Sequence, residues 1–151
     1  MAQLRDCRSK PLPAMNKRSV DNGTMFEVVA EHLTEGKSVT VSVLGRSMRP
    51  FFSSGETITI HPIEECAMFE GSVIFARIGK RRYAVHRIME IEGDKITMMG
   101  DGNVLGREVV HRNDIYGYVE CSERHLRWAK VWRWLLPVRR YLIAIDRRVF
   151  K

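Results

Sequence analysis

Apolar residues recur along this chain with two different periods. Over residues 24–36, Phe26, Val29, Ala30 and Leu33 fall on one face at helical spacing, Thr24 can cap the start and Gly36 closes the end. That pattern predicts a helix of about three turns. From Lys37 the period becomes two: Val39, Val41 and Val43 alternate with Thr40, Ser42 and Leu44, which reads as a strand. Residues 57–61 (ended by Pro62), 72–78, 82–90, 95–99 and 115–121 read as further strands. Turn formers separate them at Gly45–Ser54, Gly79-Lys80-Arg81, Glu92-Gly93-Asp94 and Gly100–Gly106. Short strands at this spacing predict a mainly β fold, a barrel or a sandwich.

From His125 the helical period returns. Leu126, Trp128, Val131, Trp132 and Leu135 are interleaved with basic residues. Pro137 breaks the segment, and Tyr141, Leu142, Ile145 and Val149 form a second stretch. Residues 1–22 are polar and of mixed charge, with Pro11, Pro13 and an Asp21-Asn22-Gly23 break, as in a flexible arm. The expected organisation is an arm over 1–22, a folded domain over 23–123 and a basic, amphipathic helical tail over 124–151.

Composition narrows the function classes. The 151 residues fit one domain, and 44% apolar content suffices for a core. Formal net charge is +7, but residues 124–151 hold nine Lys/Arg and a single acid, Asp146, so the excess is confined to the tail. A basic tail suits nucleic acid, anionic lipid or an acidic partner. The single helix before the strands is too little for a helix-turn-helix, and nothing else resembles a reader of bases, so nucleic acid is disfavoured. Cys7, Cys66 and Cys121 are odd in number and widely spaced, which argues against a disulfide framework or a zinc site. No apolar run is long enough to span a bilayer, and the N-terminus lacks a signal peptide's apolar core. A cytoplasmic protein is expected, at most peripheral to a membrane.

Three segments carry candidate chemistry. Gly45-Arg46-Ser47-Met48-Arg49-Pro50 follows a strand directly. A nucleophilic serine is well held on such a turn, where backbone N–H groups converge on its hydroxyl, although most Gly-x-Ser triplets are simply polar turns. In Tyr83-Ala84-Val85-His86-Arg87-Ile88, alternation puts Ala84, His86 and Ile88 on one face of a strand. There His86 reads either as a hydrogen-bonded core histidine or as a general base. Met99-Gly100-Asp101-Gly102-Asn103 reads either as a tight turn or as the source of an acid, Asp101, that orients the histidine.

In their order, Ser-Met-x-Pro, Val-His-Arg-Ile and Gly-Asp-Gly-Asn resemble signal peptidases of the ER and archaeal type. The wider group includes bacterial signal peptidase and the self-cleaving LexA and UmuD proteins. The resemblance covers roughly residues 37–121 and includes Gly93-Asp94 and Ile115-Tyr116-Gly117-Tyr118-Val119. It implies a coiled, barrel-like β domain and a serine endopeptidase that needs no cofactor or metal. Ser47 would be the nucleophile, His86 the base in place of the lysine used by LexA, and Asp101 the third member. Gly45, Met48, Pro50 and Val85 would line the substrate and oxyanion region, with substrate added as an extended strand.

The chain departs from that pattern in three ways. The family's second aspartate falls here on Gly106 and Arg107, with Glu108 just beyond, so either Glu108 substitutes or that acid is missing. Arg46 stands where a small residue is common. The polar residues 1–22 are not expected to form the N-terminal anchor helix of the family's membrane enzymes. The expected activity is cleavage of a leader or signal-like segment from a peptide or protein. The alternatives are LexA/UmuD-like self-processing and a non-catalytic peptide-binding module. Self-processing is disfavoured because the arm lacks an Ala-Gly or Cys-Gly cut site. In the tail, Trp128, Trp132, Arg133, Arg139 and Arg140 suggest either an anionic membrane surface or a helix packed on the domain.

Overall fold

The computed structural model describes residues 22–149; the arm falls outside them, apart from its last residue. The chain runs α1 (Asn22–Thr34), β1 (Val39–Ser42), β2 (Thr57–Pro62), β3 (Val73–Ile78), β4 (Arg82–Glu92), β5 (Lys95–Met99), β6 (Glu108–His111), β7 (Ile115–Val119), α2 (Glu123–Trp134) and α3 (Leu136–Val149). The seven strands form one sheet in the order β1-β2-β7-β3-β4-β5-β6, with every pairing antiparallel. The sheet curls into a half-barrel, so the fold is mainly β, with helices before and after the sheet among the described residues.

Both faces of the sheet's centre are covered. β3 reads Val-Ile-Phe-Ala and none of these four residues is exposed. Val73 and Phe75 join Val29 and Leu33 of α1, Met48, Phe52, Ile58 and Ile60 in one core. Ile74 and Ala76 point the other way, into a core with Ile88, Ile96, Met98 and Val110. Period-two alternation thus divides one apolar run between two cores. Each fully buried Ile or Phe contributes about 1.5–3 kcal/mol relative to exposure. In β4, Tyr83 and Val85 pack on the first core and Ala84 on the second, as the alternation predicts.

The structure adds β6, which the sequence pattern does not announce. Glu-Val-Val-His is only four residues long, and at this sheet edge Val110 is buried while Val109 is exposed. The tail is helical, but the break falls at Leu135, and Pro137 sits in the first turn of α3. Proline is tolerated there because an initial-turn N–H has no helical partner. Ser122 caps α2 by accepting from the His125 N–H at 3.3 Å.

Candidate active site

The Ser47 turn is fixed by what flanks it. Gly45 leaves β1 with φ of +88°, a conformation that glycine adopts without strain. The following residues wind into tight turns, with Arg49 N donating to Arg46 O and Phe52 N to Met48 O. Met48 and Phe52 are buried and pin this loop to the first core. Ser47 itself is half-buried, and Pro50 is exposed after a cis peptide bond. Of the four residues expected to line the substrate region, Gly45 and Pro50 are therefore at the surface. Val85 is half-buried, and the Met48 side chain serves the core.

A second turn backs the first. Gly102 N donates to Ser47 O at 2.8 Å. A Cβ at Gly100 would lie 2.4 Å from Ser47 O, and one at Gly102 would lie 2.4 Å from Arg46 O. Glycine is required at both places because the two backbones touch. Gly100 directly follows β5, whose last residue Met99 pairs with Arg87, the chain neighbour of His86. The serine turn and the histidine strand therefore meet at the same end of the sheet.

His86 lies opposite Ile74 and is buried. Its Nδ1 sits 2.7 Å from Oε2 of Glu108, the first residue of β6. Arg82 donates to the other carboxylate oxygen. A carboxylate only accepts hydrogen bonds, so Nδ1 carries a proton, and in the neutral ring Nε2 then holds the lone pair. That is the tautomer a general base requires.

Asp101 occupies a different place from the one expected of it. Arg87 Nε reaches both Asp101 oxygens, at 2.8 and 3.1 Å, and Nη2 reaches Oδ2 at 2.7 Å. Both side chains are essentially unexposed. Arg87 also donates to Gly71 O at 2.6 Å and lies 5.2 Å from the centre of the Phe51 ring. The reason is alternation: successive residues of β4 face opposite sides, so His86 meets Glu108 while Arg87 meets Asp101. The acid beside His86 is Glu108, and Asp101 neutralises a buried guanidinium.

The tail completes this second network, which the sequence reading did not anticipate. His125 of α2 stacks on Phe51 with centroids 4.9 Å apart, and its Nε2 lies 3.1 Å from Arg87 Nη2. Arginine only donates, so this nitrogen accepts and the ring is neutral. Burial and then the Arg87 charge hold its pKa below the usual histidine value. Trp132 Nε1 donates to Asp101 O at 2.8 Å, and Arg139 Nη2 donates to Asn103 O at 2.6 Å. Arg139 is buried against the Trp132 ring, and Arg133 donates to Met89 O. Trp132, Arg133 and Arg139 therefore reach the domain with their side chains. The Arg140 side chain lies outside the described residues. A charge on the otherwise apolar Tyr83-Val85-Arg87 face was the available signal, because a buried arginine demands an acid partner.

A curled antiparallel sheet with a serine turn after its first strand is the architecture of the LexA/signal-peptidase-like superfamily. The chain belongs to the Peptidase S24-like family, whose model matches residues 12–119. A search among curated proteins finds no match. The matched region ends at β7, so α2 and α3 lie beyond it.

Proposed function

We propose that this protein is a serine endopeptidase in which Ser47 attacks, His86 is the general base and Glu108 orients and charge-stabilises His86. The observation that carries this reading is the 2.7 Å bond from His86 Nδ1 to Glu108, which in the neutral ring makes Nε2 the acceptor. In the first step Ser47 Oγ adds to the scissile carbonyl and its proton passes to Nε2. The Ser47 backbone N–H helps hold the oxyanion. The imidazolium then returns the proton to the leaving amine as the C–N bond breaks, giving an acyl ester. Water, deprotonated by His86, hydrolyses that ester and regenerates the serine. Asp101 takes no proton in this scheme; with Arg87 it stiffens the turn that backs Ser47. The substrate is an extended leader or signal-like segment with small residues before the cut, by analogy with the superfamily.

The test uses wild type, Ser47→Ala, His86→Ala and Glu108→Gln with a peptide library read by mass spectrometry. Cleavage by wild type, lost in the first two variants and strongly slowed in the third, is expected. Release of the protein's own N-terminal residues from wild type alone would assign self-processing instead. Identical, inert behaviour of all four would leave a peptide-binding module and refute the catalytic reading.

A further inference from the structure

The two C-terminal helices present an outer face that packing within the domain does not explain. Of the eleven large hydrophobic residues exposed among the described residues, six lie on α2 and α3. They are Trp128, Val131, Trp134, Val138, Tyr141 and Ile145, each between 47% and 80% exposed. Within α3, Val138, Tyr141 and Ile145 follow the 3-4 spacing of a single stripe. The inner face is already engaged: Ala129 is buried, and Trp132 and Arg139 are hydrogen-bonded to the domain. The exposed tryptophans are thus the ones the core does not use.

Charge surrounds this apolar set. Arg124, Arg127 and Lys130 are exposed on α2, where Glu123 is the only acid. The apolar face also continues past the helix. Trp134 shares a groove of about 830 Å³ with the exposed Phe69; Arg107, Arg127, Lys130 and Arg133 line it, outnumbering Glu70 and Glu90. Indole rings beside cations fit the boundary between lipid headgroups and acyl chains, where the ring is desolvated and the cations meet anionic phosphates. A second copy of the chain fits less well. A symmetric dimer through this face would set Arg124, Arg127 and Lys130 against their like in the partner. No described helix is long and apolar enough to cross a membrane, so the helices would lie on the surface.

We infer that the outer face of α2–α3 docks the protein on an anionic membrane surface. Trp128, Trp134 and Tyr141 enter the interface, and the basic residues of α2 select negatively charged headgroups. Because the inner faces of the same helices hold Asp101 and Asn103, docking places the Ser47 turn at a fixed distance from the bilayer. The inference concerns binding and does not depend on proteolysis.

The experiment is co-sedimentation of the full chain with phosphatidylcholine vesicles, with and without about one-third phosphatidylglycerol. Binding is expected only with the anionic lipid, and it weakens as salt rises. The double variant Trp128→Ala/Trp134→Ala should partition about tenfold or more weakly, since each indole loses its buried apolar area. Arg127→Glu/Lys130→Glu should abolish the preference for phosphatidylglycerol. In wild type, acyl chains brominated near the headgroup should quench tryptophan emission, which reads insertion without any substitution. Absence of sedimentation with the anionic vesicles overturns the inference. So does binding that the tryptophan pair leaves unchanged, or a lipid-free dimer dissolved by that pair. Equal retention on DNA through charge alone, with no bromine quenching, overturns it as well.

Discussion

Two carboxylates stand near the candidate site, and the structure gives them separable consequences. Consider Asp101→Asn. In the native protein Arg87 is 0% exposed, and its side chain meets both Asp101 oxygens, the Gly71 carbonyl and the neutral ring of His125. Loss of the Asp101 charge leaves a buried guanidinium with only neutral partners. Breaking a buried pair in this way costs about 3–5 kcal/mol. For a domain of this size that lowers the thermal midpoint by on the order of 10–20 °C. Glu108→Gln differs. Glu108 is 16% exposed, and its other partner, Arg82, is mostly in solvent. Its stability cost should be under about 1 kcal/mol. Its effect on turnover should be large, because the charge that stabilises the imidazolium is gone and the amide can enforce the wrong tautomer. A fall of about 10²–10⁴ in kcat is expected. The assay is a urea titration of each variant beside peptide hydrolysis measured well below its melting temperature. The reasoning is refuted if Asp101→Asn is as stable as wild type yet inactive, or if Glu108→Gln keeps full turnover. Arg87→Met combined with Asp101→Leu should cost less than the two single changes summed, since no lone charge remains.

Three further expectations concern the same architecture. Gly100→Ala puts a Cβ 2.4 Å from Ser47 O and 2.9 Å from Asn103 Nδ2, so the serine turn must move; a loss of about 1–3 kcal/mol with most of the activity is expected by denaturation and hydrolysis assays. Gly45→Ala meets nothing within 4 Å, so only its φ of +88° resists and the cost is about 1–2 kcal/mol. For His125, the depressed folded-state pKa means the unfolded chain takes up the proton first as pH falls. The stability involved is present above the usual value of 6.5 and is lost as pH drops below it, so thermal midpoints between pH 7 and 5 should fall more for wild type than for His125→Gln. Burial pushes the Cys121 thiol up to about 11, whereas Cys66 is exposed. Iodoacetamide at pH 8 should therefore label Cys66 and spare Cys121 until the protein is unfolded, and peptide mapping reads the result.

Where the sequence and the structure agree, local periodicity decided the outcome. Val39, Val41 and Val43 announce β1, and the split of Tyr83 and Val85 from Ala84 and Ile88 is inherent in the pleat. β6 escaped because a four-residue edge strand with one exposed valine carries almost no periodic signal. The partners of His86 and Arg87 are matters of register across β4, β5 and β6, and register is a long-range property. Asp101 sits in a motif that invites a catalytic role, while Glu108 sits in a segment with no motif at all. The tail's amphipathicity was plain, but not which tryptophan turned inward. Trp132 differs from Trp128 and Trp134 in finding the Asp101 carbonyl, a partner some thirty residues away in sequence, and in packing against Phe51 and Arg139.

The hold of Trp132 on Asp101 and of Arg139 on Asn103 has a consequence for how the protein comes into being. A growing chain emerges from its N-terminus, so the whole sheet, with His86 in it and Ser47 on the turn after β1, is synthesised before α2 and α3. Until those helices arrive, Arg87 and Asp101 have no cover on the His125 side, and the turn behind Ser47 lacks two of its hydrogen bonds. Maturation of the serine turn is thereby tied to the last-made part of the fold. A half-finished chain carries Ser47 and His86 without the wall that sets them.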